Sequence, residues 1–474
     1  MNIHKKLAEN IAAIERLLPL KNSFDLIGRS FDVGDTPAYL LFVDGFAKDD
    51  IMVHVLKELQ GTKPEIPKTA PELLLKRIPY IETSQTDDLI HGIDMVLCGQ
   101  IFLLIDGAQQ GILIDAREYP VRSPSESHIE KVTRGPRDDL VETIVFNTAL
   151  IRRRIRDRAL AFEMHTVGSS SKTDVAIGYI GSLVDSHLLD LVRSRVKNMD
   201  VPALTMGEKS LEELLMKKKW YNPLPRFRFS ERPDTIAAHL LEGHIILLVD
   251  TSPTALILPT SVFYFTQYIE DYYQNPLVGT ITRFLRFGAT LVATFAVPLY
   301  LLLCMYGKPS WLSFLIPPPD QTGSLPLFIQ LILLELGLEG LKMSSLHTPQ
   351  NLEAAFSIIG GLILGDFAVT IGVLCTQSIF LSVSSAVANH CVPNPEMGGA
   401  VRIFRWLLLI LSGLLGIWGF AAGCAILLTL LLTTRTFDGR MRYLWPLLPF
   451  NAKALAHLLF RYPAASVHDR RQNK

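Results

Sequence analysis

The stretch RPDTIAAHLLEGHIILLVDTSPTALILPT, residues 232–260, reads as a helix followed by two strands that a turn joins. Gly243 ends the helical pattern, and Asp250 begins the turn between two runs of aliphatic residues. The stretch TDDLIHGIDMVLCGQIFLLIDGAQQGILIDA, residues 86–116, has the same order, with Gly99 and Asp106-Gly107 at the matching positions. A strand and a helix precede each copy. The repeat predicts an α/β soluble region of two related small domains, over residues 22–125 and 168–262.

Two further segments flank these domains. Residues 1–21 predict an amphipathic helix rather than a secretory signal, because Glu9 and Glu15-Arg16 interrupt the apolar residues. We therefore expect the N-terminal region to be cytoplasmic. Residues 126–167 predict a linker helix that ends in a basic run. The run could bind nucleic acid or acidic lipid, but a formal net charge of +0 favours contacts with acidic groups of neighbouring domains or subunits. The candidates for these contacts are Arg152, Arg153, Arg154 and Arg156.

Motifs for chemistry are missing from the sequence. It contains no phosphate-binding glycine loop, no dinucleotide fingerprint and no HExxH or GxSxG motif. The five cysteines form no CxxC pair, and each histidine is isolated from a catalytic partner in sequence. We expect no enzyme, no catalytic residue, no cofactor, no metal site and no nucleic-acid partner.

The second half of the chain is much more apolar than the first. Hydrophobic residues make up 49% of the 474, and the longest apolar runs lie between 284 and 434. Segments 284–306, 355–377 and 402–434 are each long enough to cross a bilayer, and 402–434 is either one tilted helix or a pair broken near Gly416–Gly419. Basic residues before 284 and in the tail 435–474 place both ends in the cytoplasm. The sequence therefore predicts a transmembrane domain at 263–434 with four to six crossings.

Charged residues interrupt these apolar segments. In PLFIQLILLELGLEGLKM, residues 326–343, Glu335, Glu339 and Lys342 fall within about 60° of one another on a helix. Asp366 lies in the middle of segment 355–377. Charges inside a bilayer usually face a bundle interior or water, so Glu335, Glu339 and Asp366 are candidates for lining or gating a pore. Alternatively, 326–343 lies flat at the interface, with Glu339 paired to Lys342.

Small residues recur at helical spacing in the same half of the chain. Such residues let two helices approach closely, in a bundle or between subunits. The candidates for helix packing are Gly361, Gly365, Gly372, Gly419 and Gly423.

Several stretches together resemble the A-subunit family of GerA-type spore germinant receptors. They are RGPRDDLVETIVFNTALIRRRIRDRAL, residues 232–260, GGLILGDFAVTIGV and YLWPLLPFN. Further stretches, including FDVGDTPAYLLFVDGF and SKTDVAIGYI, resemble one particular subgroup of this family. Many members of the family have an amide at the position of Asp366.

The resemblance implies a multi-pass protein of the spore inner membrane, in a sporulating bacterium. It implies a homo-oligomer, with a pentamer as one expectation, that contacts lipid and other germination membrane proteins. The function that it implies is an ion-channel-like subunit that assists the release of ions and dipicolinic acid. The alternative is a non-conducting scaffold that assembles receptor complexes. A secondary transporter would require inverted repeats in the membrane half, and the sequence shows none.

Overall fold

The computed structural model describes residues 1–61, 78, 82–117, 130–216, 220–307, 325–347, 358, 360–361, 368–440 and 442–462. The chain divides into two compact units. The first, the sheet unit, comprises Met1–Lys218 and Phe227–Pro259. The second, the helical unit, comprises Lys219–Arg226 and Thr260–Lys474.

The sheet unit contains two five-stranded sheets in which all neighbouring strands are antiparallel. The first has the order β1-β2-β4-β5-β3, with strands β1 (Leu26–Val33), β2 (Thr36–Val43), β3 (Thr83–Thr86), β4 (Ile101–Ile105) and β5 (Gly111–Ile114). Its helices are α1 (Leu7–Leu17), α2 (Asp49–Gln60) and α3 (Leu89–Leu97).

The second sheet repeats this topology. Its order is β6-β7-β9-β10-β8, with strands β6 (Leu160–Val167), β7 (Thr173–Ile180), β8 (Arg228–Ser230), β9 (Ile245–Val249) and β10 (Ala255–Leu258). The helices are α4 (Ile144–Arg154), α5 (Ser186–Lys197), α6 (Glu208–Leu215) and α7 (Pro233–Leu241). The sequence repeat thus corresponds to one repeated arrangement of strands.

The helices α1 and α4 occupy equivalent places in the two halves. In the first half, the turn residue Asp106 accepts a hydrogen bond from the Leu7 amide at 2.9 Å, through Oδ1. In the second half, Asp250 Oδ1 accepts one from the Ile144 amide at 3.1 Å. The two turn aspartates therefore stabilise the N-terminal ends of equivalent helices, which identifies a structural role for both.

Paired asparagines confirm this equivalence. Asn10 bonds both backbone groups of His4, at 2.8 and 2.7 Å. Asn147 bonds both backbone groups of Val141, at 2.7 and 2.6 Å. Each asparagine thereby closes the loop that leads into its helix.

This equivalence corrects the predicted boundaries. The first domain begins at α1 rather than at residue 22, since Leu7 and Ile14 belong to the apolar core beside the first sheet. The predicted linker 126–167 contains α4 and β6, and Ile144 and Ile151 of α4 pack in the core of the second sheet. The sequence analysis assigned α4 to a linker because of the arginines at its end, although its apolar residues belong to the core of the second domain.

The helical unit begins with a 3-10 turn at Val262–Phe265. Its helices are α8 (Glu270–Tyr273), α9 (Pro276–Tyr306), α10 (Leu327–His347), α11 (Ala368–Thr370), α12 (Thr376–His390), α13 (Pro395–Thr433) and α14 (Ala452–Leu459). Among the described residues, α9 and α13 are long and apolar enough to cross a bilayer, with mean hydropathies of 2.0 and 2.2 over an 18-residue window of each. The predicted span 355–377 is not one helix, because Gly372 has a φ of +77° and separates α11 from α12.

Helix α13 is a hairpin. Gly416 has φ 62° and ψ −137°, a conformation that few residues other than glycine adopt. A Cβ atom on Gly423 would lie 2.7 Å from Leu408 Cδ2, whereas fifteen residues of straight helix span about 22 Å. A Cβ atom on Gly419 would lie 1.9 Å from the Leu411 carbonyl oxygen. The chain therefore folds back at Gly416, and the two glycines allow the two arms to touch.

Candidate functional site

The carboxylate of Glu335 on α10 lies against the guanidinium of Arg405 on α13. Arg405 Nη2 and Nε donate to Glu335 Oε2 at 2.8 and 3.0 Å, and Trp406 Nε1 donates to the same oxygen at 2.9 Å. The side chains of Glu335 and Arg405 are 3% and 4% exposed. Among the residues that the structure describes, Glu335 Oε1 has no hydrogen-bond partner. The pair is thus a buried ion pair with one acceptor oxygen unused.

Arg405 also connects this pair to two more helices. Its Nη1 donates to the Ala293 carbonyl oxygen on α9 at 3.1 Å and to Ser385 Oγ on α12 at 2.9 Å. Ser385 Oγ donates in turn to the Ala293 carbonyl oxygen at 3.1 Å. One guanidinium therefore holds α9, α10, α12 and α13 together inside the helical unit.

A second ion pair lies one turn along α10. Arg402 Nη1 donates to Glu339 Oε2 at 2.6 Å, and the two side chains are 21% and 23% exposed. The spacings i, i+4 on α10 and i, i+3 on α13 place the two carboxylates opposite the two guanidiniums. We call Glu335, Glu339, Arg402 and Arg405 the ion-pair cluster. Trp406 belongs to its surroundings.

A cavity of about 330 Å³ adjoins the ion-pair cluster. Its lining includes all four members of the cluster and three more polar side chains: Lys342, Asn389 and His390. The lining of the cavity thus contains both hydrogen-bond acceptors and hydrogen-bond donors, between apolar helices.

The structure pairs both carboxylates of the predicted acidic stripe with arginines. Glu339 contacts Arg402, and Glu335 is buried against Arg405. Sequence reasoning missed both arginines, although the spacing Arg402-x-x-Arg405 at the start of an apolar run was a usable signal. Asp366 lies outside the described residues.

The candidate packing glycines divide into three groups. Gly419 and Gly423 lie where the arms of α13 touch. Within the described parts of the chain, a Cβ atom on Gly361 or Gly372 would meet no atom within 4 Å, and Gly372 is outside any helix. Gly372 therefore does not continue a helical stripe, which corrects that prediction. Gly365 lies outside the described residues.

The basic run contributes one deeply buried contact in the sheet unit. Arg152 pairs with Asp25, both at 0% exposure, and its Nη2 also donates to the Leu160 carbonyl oxygen at 3.1 Å. Asp25 directly precedes β1, so this pair joins the two sheets. Arg154 pairs with Asp138, next to its own helix, whereas Arg153 and Arg156 are exposed.

A second charged cluster lies on the second sheet. Arg193 donates to Glu163 through Nε at 2.9 Å, and the Tyr179 hydroxyl donates to Glu163 at 2.6 Å. Burial raises the pKa of Glu163, but the nearby His165 ring and the hydrogen bonds from Arg193 and Tyr179 outweigh burial and lower this pKa to about 2. Burial, then the bond to Glu163, raises the pKa of Tyr179 to about 12. The carboxylate is therefore ionised at neutral pH.

One group of side chains has the composition of a metal site. The possible ligand atoms of His239, Glu242 and His244 lie within 4.8 Å of one another. However, Arg228 Nη1 lies 3.2 Å from His239 Nε2 and can only donate to it, so the proton of the neutral ring sits on Nδ1. Burial, and then the Arg228 charge, lowers the pKa of His239 well below its ordinary value. A cation is disfavoured beside this guanidinium, and we assign no metal to the group.

Comparison with known proteins identifies the family. The sequence profile described as Bacillus/Clostridium GerA spore germination protein matches residues 15–473. The chain therefore belongs to the GerA family of spore germination proteins, which confirms the resemblance drawn from the sequence.

Individual relatives agree with this assignment. The chain is 34% identical to stage V sporulation protein AF of Bacillus subtilis (strain 168), over 97% of this chain and 93% of that protein. It is 28% identical to spore germination protein GerLA of Bacillus cereus, over 92% and 89%. It is 26% identical to the uncharacterized membrane protein YfkQ of Bacillus subtilis (strain 168), over 97% and 90%.

A solved structure is also similar to part of the chain. It is the crystal structure of the N-terminal domain of the A subunit of the Bacillus megaterium spore germinant receptor GerK3. The sequence identity is 24% and the TM-score is 0.43, over 54% of this chain and 96% of that one.

Proposed function

We propose that this protein is a non-enzymatic subunit of the spore germination apparatus that forms a homo-oligomer and conducts ions across the spore inner membrane. In this role it would assist the release of ions and dipicolinic acid, together with other germination membrane proteins. Membership of the GerA family supports the germination role. The apolar helices α9 and α13 support the membrane location.

The observation that carries this proposal is the ion-pair cluster beside a cavity among apolar helices. Charged side chains inside a membrane domain are costly, and they are usually retained for ion passage or for a conformational change. Here the outer pair, Glu339–Arg402, borders the cavity and is partly exposed, whereas the inner pair, Glu335–Arg405, is buried. We interpret this arrangement as closed. Opening would require the carboxylates to exchange their arginine partners for water or a cation.

A multi-pass topology with a cytoplasmic sheet unit is part of the proposal. Arg283 and Arg286 lie in the first turns of α9, before its longest apolar run. The residues that follow α13 are also rich in arginine. Basic residues at membrane boundaries favour the cytoplasmic side. The hairpin at Gly416 supports two crossings by α13, since each arm has close to the roughly 20 residues that one crossing needs.

Ion flux from reconstituted liposomes tests the proposal. The single substitution Glu335→Gln would leave a buried, uncompensated arginine, so we choose the pair-neutral variant Glu335→Gln/Arg405→Gln, which removes both charges. The matched control, Glu163→Gln/Arg193→Gln, neutralises a carboxylate–guanidinium pair in the sheet unit. We expect potassium efflux from wild-type liposomes, an altered efflux rate with the pair-neutral variant and an unchanged rate with the control.

The scaffold remains a second candidate, since both carboxylates described in α10 are already ion-paired. A scaffold predicts no efflux above that of protein-free liposomes, for the wild type and every variant. It also predicts that substitutions at Gly361 or Gly365 reduce co-purification of other germination proteins. Efflux that equals the protein-free background at normal levels of folded protein would therefore replace the channel with the scaffold.

A further inference from the structure

Exposed aromatic side chains lie beside two ends of the apolar helices. Phe460, just after α14, contacts Phe284 of α9, with ring centroids 5.7 Å apart. Arg283 Nη1 fixes α14 there by donating to the carbonyl oxygens of His457 and Leu458, at 3.1 and 3.2 Å. Helix α14 is therefore fixed to the first turns of α9, at the level where the apolar run of α9 begins.

A second aromatic pair lies beside the end of α13. Asn222 Nδ2 donates to Thr434 Oγ1, the residue that follows α13, at 2.8 Å. The preceding residues, Trp220 and Tyr221, are 95% and 51% exposed, and their rings make an edge contact. Aromatic residues of this kind are typical of the boundary between lipid and water.

Aliphatic and basic side chains complete the surface. Leu447, Leu448 and Phe450 precede α14 and are all exposed, Phe450 at 69%. Arg442 and Lys453 are also exposed, and the sequence from 440 to 462 contains no aspartate or glutamate. We call this set the interfacial surface: Trp220, Tyr221, Arg442, Leu447, Leu448, Phe450, Lys453 and Phe460.

We propose that the interfacial surface binds the anionic headgroups of the membrane leaflet at which α9 begins. The inference rests on the proposed membrane role and adds a lipid class and named residues to it. Apolar side chains beside cations, in a segment 440–462 that contains no acidic residue, suit an interfacial position on an anionic leaflet. The surface also adjoins α9 through Phe284, which is exposed and contacts Phe460.

A second copy of the chain fits this surface less well. A symmetric contact between two copies would bring the same patch against itself. Arg442 and Lys453 of one copy would then face the same cations of the other, without acidic residues between 440 and 462 to balance them.

Hydrogen exchange of the full-length protein in lipid nanodiscs tests the inference. One set of nanodiscs contains only phosphatidylcholine, and the other contains phosphatidylglycerol as about a third of its lipid. Each basic residue near an anionic leaflet strengthens binding by about fivefold, so two of them predict about twenty-fivefold slower exchange of peptides within 444–460 in the anionic nanodiscs. We expect Arg442→Gln/Lys453→Gln to abolish this difference. The control Lys57→Gln/Lys197→Gln, which removes two exposed lysines of the sheet unit, should preserve it.

Three outcomes would overturn the inference. The first is equal exchange of these peptides in both nanodiscs, and the second is a difference that survives Arg442→Gln/Lys453→Gln. The third is protection that depends on protein concentration in detergent, which would assign the surface to a second copy. The peptide 284–306 serves as the control for the proposed membrane role. If it is protected from exchange in both nanodiscs, the chain is inserted, and a negative result then counts against lipid binding by the interfacial surface alone.

Discussion

The buried pair Glu335–Arg405 is the contact in the helical unit whose disruption we expect to cost most. Glu335→Gln retains an oxygen that can accept from Arg405 and Trp406 but removes the charge that compensates the guanidinium. Both partners are at most 4% exposed. Removing one partner of a buried ion pair costs about 3–5 kcal/mol, and the retained acceptor places this variant at the lower end, about 3 kcal/mol.

The second pair provides an internal comparison. Glu339 and Arg402 are 23% and 21% exposed, so water screens their attraction. For such a pair we expect Glu339→Gln to cost about 1 kcal/mol or less. The two substitutions are chemically identical and lie one turn apart on α10, so burial is the main difference between them.

Reversible unfolding of the full-length protein in mixed micelles, followed by circular dichroism, measures both costs. The double variant Glu335→Gln/Arg405→Gln should cost at least about 1 kcal/mol less than the sum of its single variants, because residues in direct contact couple. Equal costs for Glu335→Gln and Glu339→Gln, or full additivity in the double variant, would refute the reasoning that burial sets the strength of the pair.

Three further predictions concern other parts of the chain. Arg152→Gln should destabilise the protein by about 3 kcal/mol in urea unfolding, whereas the substitution Arg156→Gln at an exposed position nearby should change stability by less than about 0.5 kcal/mol. Glu163→Gln should destabilise by about 1–2 kcal/mol at pH 7, after discounting for solvent. Because the folded pKa of Glu163 is lowered to about 2, this cost should shrink as the pH falls from about 4.5 toward 2 in thermal melts. Gly423→Leu should separate the arms of α13 and lower the melting temperature, whereas Gly361→Ala should not.

The order of elements within each repeat was partly predictable from the sequence, whereas the strands β1, β3, β6 and β8 and the order of strands in the sheets were not predicted. Gly99 and Gly243 mark the helix ends, and Asp106 and Asp250 mark the turns, so local signals specify each repeat. What the sequence concealed is that these aspartates bind the starts of α1 and α4, 99 and 106 residues away. Long-range contacts of this kind have no local periodicity, and the first helix of each domain was therefore misassigned.

The sequence predicted the acidic residues of the candidate site but not the arginines that pair with them. An acidic stripe in an apolar helix is visible by spacing, and Glu335 and Glu339 were found in this way. Their partners Arg402 and Arg405 lie more than 60 residues further on, at the start of a separate apolar run. Basic residues at that place also match a membrane-boundary signal, so the sequence offered a second explanation for them. Only the packing of α10 against α13 shows that they face the carboxylates.

This pairing determines how conduction must be tested. Neutralising Glu335 alone changes two quantities together, the charge at the cavity and the stability of the four helices that Arg405 connects. A lost ion flux in that variant would therefore have two explanations. The pair-neutral variant Glu335→Gln/Arg405→Gln leaves no uncompensated buried charge, but it also removes the guanidinium that connects the four helices, so its stability must be measured beside its flux. If it keeps the stability and the flux of the wild type, ion flux does not depend on this pair. If it keeps that stability and its flux differs, the charged pair acts on the ion rather than on the fold.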